Sequence, residues 1–145
     1  MFNDVIGDWP THERLILTSC DEKYFNRYFP RFYKTFTKKW QLPIHAHVID
    51  PSHKSLERLN GLGVSHTYCK TDDNILKWPY SYETYCQAQR FILLGHRGIE
   101  TQSVIVADVD AYALKEPSEA HKQTLFKDMA FTTFNDRLMA TFCHF

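Results

Sequence analysis

A single α/β domain built on a mostly parallel sheet is what the 145-residue sequence predicts. Short apolar, β-branched segments alternate with longer amphipathic ones, and parallel neighbours need crossovers that are usually helices. The length suits one compact domain with its own core. A third observation is VIVADVDA, Val104 to Ala111, where an apolar strand runs straight into two carboxylates. In sheets of this kind ligands bind beyond the carboxyl ends of the strands.

Composition narrows the class. A 43% hydrophobic and 15% aromatic content supports a packed core without cross-links, and 17 basic residues balance 17 acidic ones. A formal net charge of zero gives no electrostatic case for nucleic acid or an anionic membrane. No segment approaches the roughly 20 apolar residues of a membrane span. The opening residues, MFNDVIGDWP, lack the basic lead and apolar run of a secretory signal. Cys20, Cys69, Cys86 and Cys143 are scattered with no C-x-x-C, the pattern of reduced thiols in a cytoplasmic protein.

The first strand is expected at Arg14–Ser19, apolar and β-branched, with Asp21 able to cap a helix after it. From Glu22 to Trp40 the aromatics Tyr24, Phe25, Tyr28, Phe29, Phe32, Tyr33, Phe36 and Trp40 recur at three- and four-residue steps. That periodicity predicts an amphipathic helix packed on the core, kinked or restarted at Pro30. A second strand is expected at Ile44–Asp50, where Ile44, Ala46 and Val48 alternate with His45 and His47. With no third ligand nearby, the two histidines read as packing or surface residues.

Ser52 caps the next predicted helix, which carries Leu56 and Leu59 and closes at Gly61 and Gly63. Val64–Cys69 reads as a third strand. Trp78-Pro79-Tyr80 marks an irregular approach to a helix from Tyr82 to His96, ending near Gly95 or Gly98. Ser103–Ala107 is the fourth strand. Glu116-Pro117-Ser118 opens a predicted short helix to Phe126, and MAFTTF and RLMATFCHF read as two more strands joined by a turn at Asn135-Asp136. A C-terminal strand left unpaired at Phe142 and Phe145 would invite a homodimer.

Asp108 and Asp110 are the residues that ordinary core does not explain. On an extended segment, acids one residue apart share a side because the strand period is two, and they repel unless a cation stands between them. Mg²⁺ and Mn²⁺ suit such a pair, because these ions take one or two carboxylates and complete their shell with water and phosphate oxygens.

A βα series, a helix carrying YCQAQRFILLG and then VIVADVDAYALKEP resembles the GT-A class of nucleotide-sugar glycosyltransferases, from Leu15 to about Asn135. The resemblance implies a Rossmann-like three-layer sandwich binding a nucleoside diphosphate sugar, a UDP-sugar favoured, and passing the sugar to an acceptor hydroxyl. It implies that Thr18, Ser19 and Asp21 border the nucleoside. Asp108 and Asp110 would hold Mn²⁺ or Mg²⁺, and Arg90 would be the donor-facing cation. Little sequence follows Asp110, so the acceptor half is expected to be short or missing, with only Asp128, Asp136 and His144 as further candidates. Two alternatives stand beside it: a non-catalytic nucleotide-sugar binding module, and a haloacid dehalogenase-like phosphatase. The latter also opens on D-x-D, but here Ala113 follows and no glycine succeeds Asp110.

Overall fold

The computed structural model describes residues 5–71, 82–96, 103–119, 130–134 and 137–144. Its strands are β1 (Ile6–Gly7), β2 (Arg14–Asp21), β3 (Ile44–Ile49), β4 (Ser65–Cys69), β5 (Ser103–Ala107), β6 (Ala130–Phe134) and β7 (Arg137–His144). The helices among the described residues are α1 (Glu22–Lys39), α2 (His53–Gly61) and α3 (Tyr82–His96). All seven strands form one sheet in the order β1-β4-β3-β2-β5-β7-β6. The ladders joining β4, β3, β2 and β5 are parallel, while β1 and β7 run antiparallel to their neighbours.

Strand alternation sorts the core into two layers. Ile16, Cys20, Ile44, Ala46, Val48, Ile105 and Ala107 pack with the α1 phenylalanines and Leu59 of α2. Leu15, Leu17, Val104 and Val106 pack with Phe91 and Leu94 of α3. Both faces of the central strands are therefore covered, which is why those strands read as nearly continuous apolar runs.

Helix α1 follows the aromatic period closely: Phe25, Phe29, Phe32 and Phe36 are all buried on the sheet side. Full burial of each contributes about 1.5–3 kcal/mol. This offsets the amide that Pro30 lacks, so the helix runs through the proline instead of restarting there. Asp21 caps it, its Oδ1 accepting from the Tyr24 N–H at 2.7 Å, and Lys38 and Lys39 face the negative end of the helix dipole. Ser52 caps α2 in the same manner.

Two features depart from the sequence reading. Strand β7 lies between β5 and β6, with Ala107 opposite Phe142, so the last strand is not an open edge. A homodimer built on that edge loses its basis, because the ladder groups of β7 are already used within the chain. The β6–β7 pair is antiparallel with Phe134 opposite Arg137, while Asn135 and Asp136, like Trp78-Pro79-Tyr80, Gly98 and most of the segment to Phe126, lie outside the described residues.

The other departure is β1, which pairs Ile6 with Tyr68 and Gly7 with Thr67. Gly7 has φ of +104°, and a Cβ there would lie 2.7 Å from the His66 carbonyl oxygen. A short strand of this kind has no periodic signature. Gly7→Ala is expected to destabilise the protein by about 1–3 kcal/mol through strain and the clash. An unchanged urea midpoint would show that β1 contributes nothing to stability.

Candidate functional site

From β2 the parallel sheet extends through β3 and β4 on one side and through β5 on the other. The boundary between β2 and β5 is thus the point where the winding reverses, the place beyond the carboxyl ends of the strands where open α/β sheets hold their ligands. Asp21 closes β2 and Asp108 follows β5, so both acids lie at that rim.

Arg90 of α3 forms an ion pair with Asp108, its Nη1 donating to Oδ1. The arginine side chain is 8% exposed and the aspartate 26%. A guanidinium buried this deeply needs an anionic partner, since an uncompensated charge inside a protein costs several kcal/mol. Its Cζ also lies 5.4 Å from the Phe91 ring centroid, a cation–π contact on the same helix. The structure therefore brings together two residues 18 positions apart that the sequence nominated separately.

Asp110 is exposed. Strand β5 ends at Ala107, and Asp108 to Ala111 form a turn in which the Ala111 N–H donates to the Asp108 carbonyl at 3.0 Å. The expectation that both acids lie on an extended segment is corrected: with the chain turning, the strand period no longer fixes their relative direction. Between them Val109 is buried in the α1 layer and anchors the turn. The segment beyond is held along α1 by Arg31, 3.6 Å from the Tyr112 ring centroid, and by the Ala113 N–H donating to Thr35 Oγ1 at 3.1 Å.

The residues expected to border a nucleoside fall at different depths. Strand β2 runs on to Asp21, so Thr18 and Ser19 lie inside it and are buried. Alternation puts them on opposite faces of the sheet. Neither hydroxyl has a hydrogen-bond partner among the described residues. Asp21 lies at the rim and caps α1.

His45 and His47 are fully buried and hydrogen-bonded within the sheet. His45 meets Ser65 Oγ at 2.9 Å and Thr67 Oγ1 at 3.0 Å, and His47 meets Thr67 Oγ1 at 2.9 Å. The Trp9 ring lies 4.5 Å from His45. They are packing residues of β3.

Two rim acids escaped the sequence reading. Asp50, just after β3, has φ of +52°, a left-handed conformation that Asp tolerates better than most residues. Its carboxylate accepts from the Thr71 N–H at 2.8 Å, the Thr71 hydroxyl at 2.5 Å and the Tyr82 hydroxyl at 3.2 Å. Burial, with Cys86 and Asp50 close by, pushes the Tyr82 phenol up, so it stays a donor. Glu22 joins the N-termini of α1 and α2 by accepting from Ser52, Ser55 and Asn26. Partial desolvation pushes its carboxyl up, but these donors outweigh it and hold the group below the usual carboxylate range. The only signal for Asp50 was an acid ahead of Pro51-Ser52.

Cys20, Cys69 and Cys86 are free and buried. Burial raises all three thiols, that of Cys86 to about 12, so each is protonated near neutral pH and a poor nucleophile.

Among the described residues no group of three or more His, Cys, Asp or Glu side chains is placed to hold a metal ion, and no helix is long and apolar enough to cross a membrane. Fold and site define an α/β domain of coarse Rossmann-like kind with an arginine–aspartate pair at the switch point of its sheet. The chain matches no protein-family model and no curated protein.

Proposed function

We propose that the domain binds a nucleoside diphosphate sugar, a UDP-sugar favoured, together with Mn²⁺ or Mg²⁺, and acts as a glycosyltransferase of GT-A type on an acceptor hydroxyl. The observation that carries this reading is the Arg90–Asp108 pair at the β2/β5 switch point. An acid followed by an exposed second acid at this rim is a hard, oxygen-rich donor set that would suit such an ion, and Asp108 already pairs with one cation, Arg90. Asp108 and Asp110 would hold the ion, with water and diphosphate oxygens filling its shell. Bound there, the metal supplies Lewis-acid stabilisation of charge on the departing diphosphate. Arg90 adds a second positive charge beside the same oxygens, and its planar fork suits bidentate contact with phosphate. Asp21 at the rim would border the nucleoside, whereas Thr18 and Ser19, buried within β2 on opposite faces of the sheet, would not both reach it.

The test is binding of UDP to the whole chain with and without Mn²⁺, by calorimetry. Asp108→Asn and Asp110→Asn are each expected to weaken Mn²⁺-dependent UDP binding by about 10–100-fold, the loss of one charge-assisted contact. Asparagine is chosen over alanine because it leaves Arg90 an acceptor. Unaltered binding in both variants, or no binding in the parent, defeats the reading. UDP binding without turnover of any UDP-sugar would identify a binding module instead of an enzyme.

A further inference from the structure

Arg90 and Asp108 are already engaged with each other, and this bears on how a metal could reach the aspartate. A divalent ion arriving alone must take Asp108 from a guanidinium that has little access to water, leaving three positive charges in one small volume. A diphosphate arriving with the ion changes the balance. With the ion held by Asp108, the diphosphate would offer the arginine fork a new anionic partner, so the guanidinium would exchange one anion for another.

Resting on the nucleotide-sugar reading, we propose that Arg90 is a place-holder cation on Asp108, surrendering the carboxylate to a divalent ion when a nucleoside diphosphate arrives to receive the guanidinium. Metal and nucleotide binding are then coupled through this one side chain. By linkage the coupling is reciprocal: the factor by which UDP tightens Mn²⁺ binding equals the factor by which Mn²⁺ tightens UDP binding. Chelation of Mn²⁺ by the diphosphate contributes to that factor in any protein, whereas the part owed to Arg90 disappears with the arginine. Held by Asp108, the guanidinium is kept at the place where the diphosphate will need it, so little reorganisation accompanies binding.

The experiment titrates Mn²⁺ alone into the full chain, following the electron paramagnetic resonance signal of the free ion, in the parent, Arg90→Gln, Asp108→Asn and the double variant. Arg90→Gln is expected to bind Mn²⁺ alone about tenfold more tightly than the parent, within the usual range of a coupling between sites. Asp108→Asn should abolish that gain in the double variant, and the UDP–Mn²⁺ coupling factor should fall about tenfold in Arg90→Gln. Equal or weaker Mn²⁺ binding by folded Arg90→Gln overturns the proposal. If Arg90→Gln fails to fold, the parent decides: the Arg90 Nε–H resonance, assigned by its loss in Arg90→Lys, should shift with Mg²⁺ and UDP together and hold with Mg²⁺ alone. A resonance indifferent to the pair overturns it equally. Failure of UDP to bind under any condition defeats the nucleotide-sugar reading, while the Mn²⁺-only comparison still decides whether Arg90 guards Asp108.

Discussion

Asp108→Ala is expected to lower the unfolding free energy by about 3 kcal/mol, the lower end of the range for breaking a buried ion pair, because Asp108 keeps a quarter of its exposure. The loss arises on the arginine side. Arg90 is buried under the packing of α3 on β2 and β5, and removing the carboxylate leaves its charge without that partner in a poorly solvated place. Two companions separate charge from packing. Asp108→Asn should recover about half of the loss by keeping an acceptor, and Asp108→Ala combined with Arg90→Met should be more stable than Asp108→Ala alone. Urea unfolding at constant m-value reads all three. A cost below about 1 kcal/mol for Asp108→Ala would assign the pair to the solvated surface class.

Phe29→Ala should cost about 3–5 kcal/mol, a large share of the 5–15 kcal/mol that holds most domains together. Phe29 is fully buried and sits mid-helix, 4.7 Å from the Phe25 ring and 6.1 Å from those of Phe32 and Tyr33. Alanine would empty the centre of the layer between α1 and the sheet and unsupport the turn next to Pro30, where the helix already lacks a backbone bond. Tyr24, on the outer face of the same helix and 45% exposed, is the control: Tyr24→Ala should stay within about 0.5 kcal/mol. Comparable losses for the two variants would mean that the aromatic stripe does not face the sheet.

The same contrast explains how much was readable from residues alone. The α1 stripe, the cap at Asp21, the apolar run of β5 and the bounds of α3 are local patterns, and their expected positions agree with the structure to within two residues. Errors occurred where tertiary context outweighs a local signal. Of the kink or restart expected at Pro30, the restart does not occur, because burial of the flanking phenylalanines carries one continuous helix through it. The strand ends at Ala107 as expected, but the two acids after it read as lying on an extended segment, whereas the chain turns there with Val109 buried in the α1 layer. Strand β1 has two residues and no period to find.

At the rim, residue chemistry nominated Asp108, Asp110 and Arg90 but placed the arginine only as a cation near a ligand. In the structure it pairs with Asp108, a contact that depends on how far around its axis α3 is rotated against β5. Asp50 was silent because its role comes from a left-handed backbone and from Thr71 and Tyr82, both distant in sequence.

By itself the sequence determined the alternation of strands and helices, the faces they bury and the acids that follow β5, because period and capping act over a few residues. The tertiary structure alone decided the strand order that makes the β2/β5 boundary a switch point, the insertion of β7 between β5 and β6, and the union of Arg90 with Asp108. Those are choices among long-range pairings, and the energies that select them are summed over the whole sheet and its two helical layers.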